Sequence, residues 1–174
     1  MKTWPDNFKL NDFFDFMIMK ELFAQFKQNG VVQWLGVRRK RKEPMSIIDQ
    51  VHFMEDVGID GDRYKSNGVR QVTIIQREHL DAVASFLSIE SLDPSLVRRN
   101  VVVEGINLLA LKGKRFTMGE AILEYTGECH PCSRMEEALG VGGYNAMRGH
   151  GGITARIIKS GRVKIGDGVS VTGD

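Results

Sequence analysis

Both cysteines of the chain lie in the segment GECHPCSRMEEALG, residues 127–140. Cys129 and Cys132 are separated by one histidine and one proline. Two thiols at this spacing occur in thiol–disulfide oxidoreductases and in one half of many zinc sites. A single cysteine thiolate is also a nucleophile and a ligand for soft metals. The chemistry of the protein therefore depends on which of these arrangements the two thiols adopt.

The sequence around the cysteine pair is not symmetric. The residues AILEYTG before the pair have strand character, and SRMEEALG after it has helical character and ends at a glycine. Ser133 followed by Glu136 fits a capping box, which predicts that Ser133 is the N-cap of a helix. Cys132 then stands immediately before the first helical turn, where free backbone amides favour a thiolate. Cys132 is chemically the better placed of the two thiols.

Other interpretations of the pair have less support in the sequence. A thioredoxin-like site is normally completed by a proline loop later in the chain, and no proline follows Pro131. A structural zinc ion needs two further ligands, and no second pair of cysteine or histidine residues has ligand spacing. Two buried, inert cysteines are the remaining alternative to a single reactive thiolate that carries sulfur or binds a soft metal.

The composition is that of a globular protein with one main domain. Of the 174 residues, 42% are hydrophobic and 26% are charged, and the formal net charge is +2. This charge gives no argument for binding to nucleic acid or to membranes. Two cysteines supply neither a disulfide scaffold nor an iron–sulfur cluster from this chain alone. We therefore expect a cytoplasmic protein that does not bind nucleic acid.

The N-terminal stretch DFFDFMIMKELFAQF has apolar residues at helical spacing: Phe16, Met19, Phe23 and Phe26. It has no basic start and no small-residue cleavage site, so it does not resemble a signal peptide. Charged residues interrupt it too early for a membrane span, and we expect no stable membrane insertion. A helix packed on its own domain is the favoured interpretation, and a homodimer or peripheral membrane contact is the alternative. We assign residues 1–29 to an N-terminal helical extension.

From residue 30 onwards, short apolar runs separated by turn residues predict many β-strands. VVQWLGV, RQVTIIQ and LVRRNVVVEG are predicted strands, and RFTMGEAILEYTG is a predicted hairpin. The section ITARIIKSGRVKIGDGVSV predicts further hairpins, with turns at Ser160-Gly161 and Asp167-Gly168. Helices are predicted only at the N-terminus, at 78–87 and at about 133–140. The predicted fold class is mixed α/β, a mainly antiparallel, β-barrel-like sheet with a few peripheral helices.

Charged residues in three segments are candidates for binding an anionic ligand. In LVRRNVVVEG, Arg98 and Arg99 stand at a predicted strand start, so they should not both face one site. Arg70 and Arg148 are further candidates, and a plain surface arginine is the alternative for each. The basic run RRKRK, residues 38–42, is interpreted as a solvated loop because no aromatic residues accompany it.

Two loops offer further candidate residues. In MRGHGGITARI, Gly151 and Gly152 permit close approach of the backbone to a ligand, although a turn without a ligand explains them equally well. His150 is a candidate catalytic proton donor, and a structural histidine is the alternative. In GIDGDRY, Asp60 and Asp62 are expected near the mouth of a site.

Taken in order, these segments resemble the MOSC domain, a family named for the C-terminal domain of molybdenum cofactor sulfurases. The similar segments are GIDGDRY, RQVTIIQ, RRNVVVEGINL, KGKRFTMGEAILEYTGECHPCSRME and MRGHGGITARIIKSGRVKIGDGV. The resemblance runs from VVQWLGV to GVSV and is strongest to short, stand-alone bacterial members. It identifies residues 30–174 as a MOSC domain with a β-barrel-like fold.

The resemblance implies a protein that binds the molybdenum cofactor in its molybdopterin form. The family's central cysteine follows a proline and maps onto Cys132, which is thereby the expected metal ligand and catalytic residue. The resemblance also points to Arg99 and Asn100 for cofactor contact. Cys129 does not match the family position and is interpreted as auxiliary.

The resemblance further implies an oxidoreductase that reduces N-hydroxylated compounds, such as hydroxylamines or N-hydroxylated bases. Nothing in the sequence resembles a flavin or NAD site, so a separate reductase is the expected electron donor. The alternative is a non-enzymatic sulfur carrier or cofactor-delivery module with a persulfide on Cys132. A barrel that binds a ligand without chemistry is the third class considered.

Overall fold

A computed structural model describes residues 18–172 of the chain, and in that range it contains eleven β-strands and five α-helices. The strands are β1 Gly30–Val37, β2 Ser46–Ile47, β3 Gln50–Met54, β4 Gly58–Ile59, β5 Val72–Gln76, β6 Val101–Glu104, β7 Arg115–Met118, β8 Ala121–Glu128, β9 Ile153–Lys159, β10 Gly161–Lys164 and β11 Gly168–Val171. The helices are α1, described over residues 18–24, α2 Arg77–Phe86, α3 Pro94–Val97, α4 Ser133–Leu139 and α5 Gly143–Ala146. A short 3-10 helix spans Leu108–Leu111.

Seven of the strands form a closed barrel. Their order is β11-β7-β8-β9-β5-β6-β1, and pairing of β1 with β11 closes the ring. Only β5 and β6 are parallel neighbours, whereas the other barrel pairs described are antiparallel. A separate three-stranded sheet has the order β10-β3-β4. The predicted fold class, a mainly antiparallel barrel with a few helices, is therefore confirmed.

Two clusters of buried apolar side chains hold the barrel and its helices together. The main cluster takes large side chains from the barrel strands, including Leu35, Phe116, Leu123 and Ile157. Alternation along the strands produces it, as in β10, where buried and exposed residues alternate strictly. The second cluster packs α2 and α4 on the outside of β5 and β6 through residues such as Leu80 and Met135. The helices thus cover one side of the barrel and bring α4 beside β6.

The C-terminal strands do not form the hairpins that the sequence predicts. β7 and β8 do pair across a tight turn, with Met118 opposite Ala121. However, β10 pairs with β3, and β11 pairs with β7 and β1. A Cβ added at Gly161 would overlap the backbone of Glu120, so the start of β10 lies directly against the β7–β8 turn. Because each turn redirects the chain to a different sheet, local alternation did not identify the pairing partners.

The segment LVRRNVVVEG is only partly a strand. Asp93 caps α3, and its carboxylate accepts a hydrogen bond from the Ser95 amide at 2.8 Å. Pro94 occupies the first turn, a position that suits its fixed φ. Arg98 then adopts a left-handed conformation with φ of 59°, and β6 begins only at Val101. This turn changes the direction of the arginine side chains relative to a continuous strand.

The described part of α1 is largely exposed. Met19 and Phe23 expose 45% and 64% of their surface, so the predicted packing of the helix on its own domain is not seen for them. Phe26, after the helix, packs against the main core. Phe16 lies outside the described residues. Within residues 18–172, no helix has the length and hydropathy needed to cross a membrane.

We predict that Leu123→Ala destabilises the fold by about 2–5 kcal/mol, because it leaves a cavity in the main core. Leu123 is fully buried, whereas Val141 is 98% exposed. Val141→Ala is therefore the control and should leave the free energy of unfolding almost unchanged. Urea denaturation followed by circular dichroism measures both, and equal stability of the two variants would contradict the assigned core.

Candidate functional site

A cavity of about 260 Å³ lies where β1, β5 and the starts of β6 and α4 meet. Its lining residues are Arg38, Met45, Asp62, Tyr64, Arg70, Gln71, Thr73, Arg98, Arg99, Asn100, Cys132, Arg134 and Met135. Four of the site residues predicted from sequence, Arg70, Arg99, Asn100 and Cys132, are therefore brought together. They come from separate parts of the chain, and barrel closure places them around one space.

Cys132 is the N-cap residue of α4, with extended backbone angles of φ −129° and ψ 174°. Its carbonyl oxygen accepts the Met135 amide at 2.8 Å, and its thiol is exposed. The predicted capping box is wrong, because Ser133 is already the first helical residue. The Glu136 carboxylate instead accepts hydrogen bonds from the Gly142 and Tyr144 amides, both at 2.8 Å. These two bonds lower the pKa of Glu136 and tie α4 to α5.

Positive charge dominates the cavity. Five arginines line it, against a single acidic residue, Asp62. The Asp62 carboxylate accepts the backbone amides of Arg38 at 2.9 Å and Tyr64 at 2.8 Å. Within the described range, none of the five arginines forms a salt bridge. Burial, followed by repulsion from a neighbouring arginine, lowers the pKa of both Arg38 and Arg98. Such an excess of guanidinium groups without acidic partners suits an anionic ligand.

Arg99 is a buried cation held by backbone carbonyls. Its Nε donates to the Gly151 carbonyl at 2.7 Å, and its two terminal nitrogens donate to Val97 at 2.7 Å and to Cys129 at 3.2 Å. Burial lowers the pKa of Arg99, and the neighbouring Cys129 thiol opposes that shift. A guanidinium has five N–H donors, and three are used here. The guanidinium keeps two further N–H donors, and Arg99 lines the cavity.

Arg38 provides an unsatisfied donor at the same cavity. Its Nε is buried and has no hydrogen-bond partner among the described residues. Buried polar groups are nearly always satisfied, so this N–H is a donor suited to a ligand or water that enters the cavity. The basic run was interpreted as a solvated loop, which is wrong for Arg38. The sequence feature that could have identified Arg38 as a site residue is its position directly after the buried end of β1.

Asn100 lines the cavity and connects two barrel strands and Asp62. Its Oδ1 accepts the Thr73 amide at 3.2 Å and the Thr73 hydroxyl at 2.7 Å. Its Nδ2 donates to the Gly36 carbonyl and to the Asp62 carboxylate, both at 3.3 Å. Every polar atom of this side chain thus has a partner within the protein. Asn100 positions β1, β5 and Asp62, and its contact with a cofactor stays a prediction.

Cys129 lies behind the cavity rather than in its lining. It is 2% exposed, and its Sγ accepts a hydrogen bond from a terminal nitrogen of Arg70 at 3.3 Å. Its carbonyl oxygen also binds Arg99. Cys129 therefore orients two arginines of the site, a structural role that the sequence alone did not indicate.

Arg98 and Arg99 both line the cavity, so the prediction that they face opposite sides is wrong. That prediction assumed a continuous strand, whereas the left-handed turn at Arg98 brings both side chains to the same space. Asp62 lines the cavity and Asp60 does not, so the prediction for Asp60 is wrong, and a position of Asp62 at the mouth stays a prediction.

The predicted residues of the glycine-rich loop lie away from the cavity lining. The His150 ring packs on His79, with ring centroids 4.9 Å apart, and on Phe86 at 5.4 Å. Burial, followed by repulsion from His150, lowers the pKa of His79. Arg148 is exposed and is absent from the lining. The structure thus does not bring His150 or Arg148 to the thiol of Cys132, which favours the structural interpretation of His150.

Gly151 and Gly152 are required by close packing of the backbone. A Cβ at Gly151 would overlap the Cys129 carbonyl, and one at Gly152 would overlap the Ile74 carbonyl. Gly152 also has a φ of 80°, a left-handed conformation that glycine tolerates best. Neither glycine lines the cavity, and contact of either with a cofactor stays a prediction. Both glycines allow the loop to pack closely against the barrel, and this packing places the Gly151 carbonyl within hydrogen-bonding distance of Arg99.

We predict that Asn100→Ala lowers the free energy of unfolding by about 1–3 kcal/mol, because buried partners lose their hydrogen bonds. Asn107→Ala is the control, since Asn107 is exposed and bonds only the nearby Leu109 amide. Chemical denaturation of both variants measures the effect. A smaller loss for Asn100→Ala than for Asn107→Ala would contradict the structural role.

Gly152→Ala is predicted to destabilise the protein by at least about 1 kcal/mol, because alanine has both steric overlap and an unfavourable φ at this position. Gly168→Ala is the control, since a Cβ there meets no atom within 4 Å and no left-handed φ is required. Thermal unfolding of ligand-free protein measures both. Equal midpoints would show that Gly152 has no packing role.

Comparisons with known proteins agree with this architecture. The crystal structure of the YuaD protein from Bacillus subtilis superposes with a TM-score of 0.71 at 21% identity, covering 83% of this chain and 96% of that one. YiiM from Escherichia coli has a TM-score of 0.66 at 17% identity, with 84% and 71% covered. YiiM from Geobacillus stearothermophilus has a TM-score of 0.67 at 12% identity, with 83% and 75% covered.

At these identities the three structures support the fold alone. Among proteins with curated functions, none matches the sequence significantly. The family model of the MOSC domain matches residues 50–170, which is more than half of the chain and includes the cavity residues from Asp62 to Met135. The chain therefore belongs to the MOSC domain family, a family associated with the molybdenum cofactor.

Proposed function

We propose that this protein binds molybdopterin-type molybdenum cofactor in the arginine-lined cavity, with Cys132 as metal ligand, and reduces N-hydroxylated compounds. The observation that supports this function best is the exposed Cys132 thiol in the same cavity as five arginines without salt bridges. A soft thiolate is a suitable ligand for molybdenum that is already held by a dithiolene. The unpaired guanidinium groups suit the anionic remainder of such a cofactor.

The donor set fits an anionic group of this kind. The orphaned Nε of Arg38 and the two free N–H groups of Arg99 offer donors at fixed positions. The conformation of the Arg99 side chain should change little when the cofactor binds, because three carbonyls already hold its guanidinium. A preorganised donor loses less conformational entropy than a mobile surface arginine.

The other lining residues shape the space around the thiol. Met135 is buried and Met45 half-buried, and both contribute apolar surface to the cavity that Cys132 lines. Tyr64, about half exposed, stands at the rim where a small substrate would enter. When bound, the cofactor would supply a redox-active metal that accepts the oxygen of an N–OH group.

Overall, an N–OH compound would take up two electrons and two protons and yield the N–H compound and water. The sequence lacks a recognisable flavin or NAD motif, so we propose that a separate reductase supplies the electrons. The basic surroundings of the cavity favour approach of an acidic electron donor.

We predict that Cys132→Ser removes at least nine-tenths of the bound molybdenum and pterin, because serine does not replace a soft thiolate ligand. Cys129→Ser is the matched control and should retain most of both, since Cys129 lies behind the cavity. Metal analysis and pterin fluorescence of protein expressed with the cofactor available measure the two contents. Wild-type protein without molybdenum would refute the proposed function, and loss only in Cys129→Ser would refute the assignment of the ligand.

A sulfur-carrier function is the second candidate, favoured by the exposure of the Cys132 thiol. In that function the Cys132 thiolate would attack the outer sulfur of a donor persulfide and release the donor thiolate. Cyanide would then release the transferred sulfur as thiocyanate from wild-type protein and not from Cys132→Ser. Reduction of an N-hydroxylated base with an artificial electron donor distinguishes the enzyme from this carrier.

A further inference from the structure

The described part of α1 has an apolar stripe that the rest of the described chain leaves exposed. Ile18 and Leu22 lie one turn apart, as do Met19 and Phe23, so the four side chains share one side of the helix. All four are exposed, from 45% for Met19 to 64% for Phe23. Helices take most of their stability from the packing of an apolar face, so a surface that covers this stripe would stabilise α1.

A groove on the outer face of the barrel lies beside α1. It has a volume of about 690 Å³, and its lining includes Ala24, Lys114, Ile122, Glu124, Ile158 and Val171. Ile122 in β8 and Ile158 in β9 are half-buried neighbours of the fully buried Leu123 and Ile157. Because side chains alternate along a strand, both isoleucines point away from the core. The outer groove therefore has an apolar part, and Ala24 at the end of α1 borders it.

The outer groove lies at the other end of β8 and β9 from the Cys132 cavity. Ile122 is near the start of β8, whereas Cys132 follows the end of that strand. Ile158 is near the end of β9, whereas the glycine-rich loop precedes its start. No described residue lines both spaces. A partner bound at the outer groove would thus leave the Cys132 cavity open.

Charged side chains on α1 and at the outer groove complement one another. α1 carries Lys20 and Glu21, and the groove carries Lys114, Arg115 and Glu124. Arg115 pairs with Glu124 at 3.3 Å. Over residues 18–172, neither Glu21 nor Lys114 forms a salt bridge. A partner that brings a carboxylate to Lys114 and a lysine to Glu21 would pair both, and a second copy of this chain brings both groups.

The polar side of α1 favours a second copy over a membrane. Helices that lie on membrane surfaces are rich in basic residues on the polar side, whereas the described part of α1 has one lysine and one glutamate. A twofold pair of identical chains uses the same surface on both members. The stripe and the outer groove are adjacent on one chain, so each chain can place its stripe on the groove of the other.

We infer that α1 and the outer groove form the interface of a homodimer, in which the apolar stripe of each chain packs on the outer groove of its partner. The four stripe residues provide the buried apolar contact, which dominates the affinity of such interfaces. Glu21 then lies near Lys114 of the partner subunit, and the two symmetric pairs of this kind fix the register. This interface is independent of the function proposed for the Cys132 cavity.

Sedimentation equilibrium of the purified protein tests the stripe. Phe23→Glu should raise the dimer Kd about tenfold or more, because it places an unpaired carboxylate in an apolar contact. Ile47→Glu is the matched control, since both side chains are 64% exposed and Ile47 lies in β2, away from the outer groove. Its Kd should change less than about twofold. A monomeric wild type, or an equal loss in the two variants, would overturn the interface.

An exchange of charges tests the register. Glu21→Lys and Lys114→Glu should each weaken self-association, because like charges then face one another at both symmetric contacts. An equimolar mixture of the two variants should form a mixed dimer, since every contact again joins one lysine and one glutamate. Native mass spectrometry identifies this dimer when one variant carries a heavy-isotope label. A mixture that dimerises no better than either variant alone would show that Glu21 and Lys114 do not meet.

Vesicle flotation distinguishes a membrane from a second copy. With vesicles of phosphatidylethanolamine and phosphatidylglycerol, wild-type protein should stay in the soluble fraction, because the partner covers the stripe in the dimer. Monomeric protein that floats with the vesicles, and that Phe23→Glu releases, would assign the stripe to a membrane surface and overturn the homodimer. None of these measurements requires bound molybdenum, so they decide the interface whether or not the proposed function is correct.

Discussion

The buried guanidinium of Arg99 joins three chain segments that meet behind the cavity. It binds the carbonyl of Val97 at the end of α3, that of Cys129 after β8 and that of Gly151 in the glycine-rich loop. A buried cation is costly unless its donors are satisfied, so these carbonyls must stay in place. The positions of α3, of the cysteine segment and of the glycine loop are thereby coupled, and the Cys132 thiol lies where they converge.

A polar network and a closed barrel support that junction. Asn100 links β1, β5 and Asp62 through four hydrogen bonds of its side chain, and Asp62 in turn holds the amides of Arg38 and Tyr64. The only acidic side chain of the cavity is thus engaged with backbone and amide donors. The arginines are left without acidic partners, and this leaves the site strongly attractive to anions.

Local sequence patterns were sufficient to predict some helices and strands, and they were not sufficient to predict how others pair. The β7–β8 hairpin, α2 and α4 follow from residue periodicity and turn residues, because their contacts are close in sequence. The partners of β10 and β11 depend on contacts over many tens of residues, which alternation does not encode. Arg98 faces the cavity because of one left-handed turn, and the serine-glutamate pair that resembled a capping box instead ties α4 to α5. Both details depend on neighbours that are distant in the chain.

The sequence by itself determined the fold class and the family, since apolar alternation and ordered motifs are properties of the chain, and it predicted Cys132 as the central thiol. Only the tertiary structure decided which charged groups surround that thiol. Arg38 lines the cavity although the sequence did not predict it, and His150 does not line it although the sequence did. Closure of the barrel decides which side chains surround the same space. The structural roles of Gly151 and Cys129 likewise depend on close packing around Arg99, and that of Gly152 on close packing against Ile74. The balance of charges around the cavity and the close packing of the backbone are properties of the assembled barrel, and neither can be predicted from a single segment.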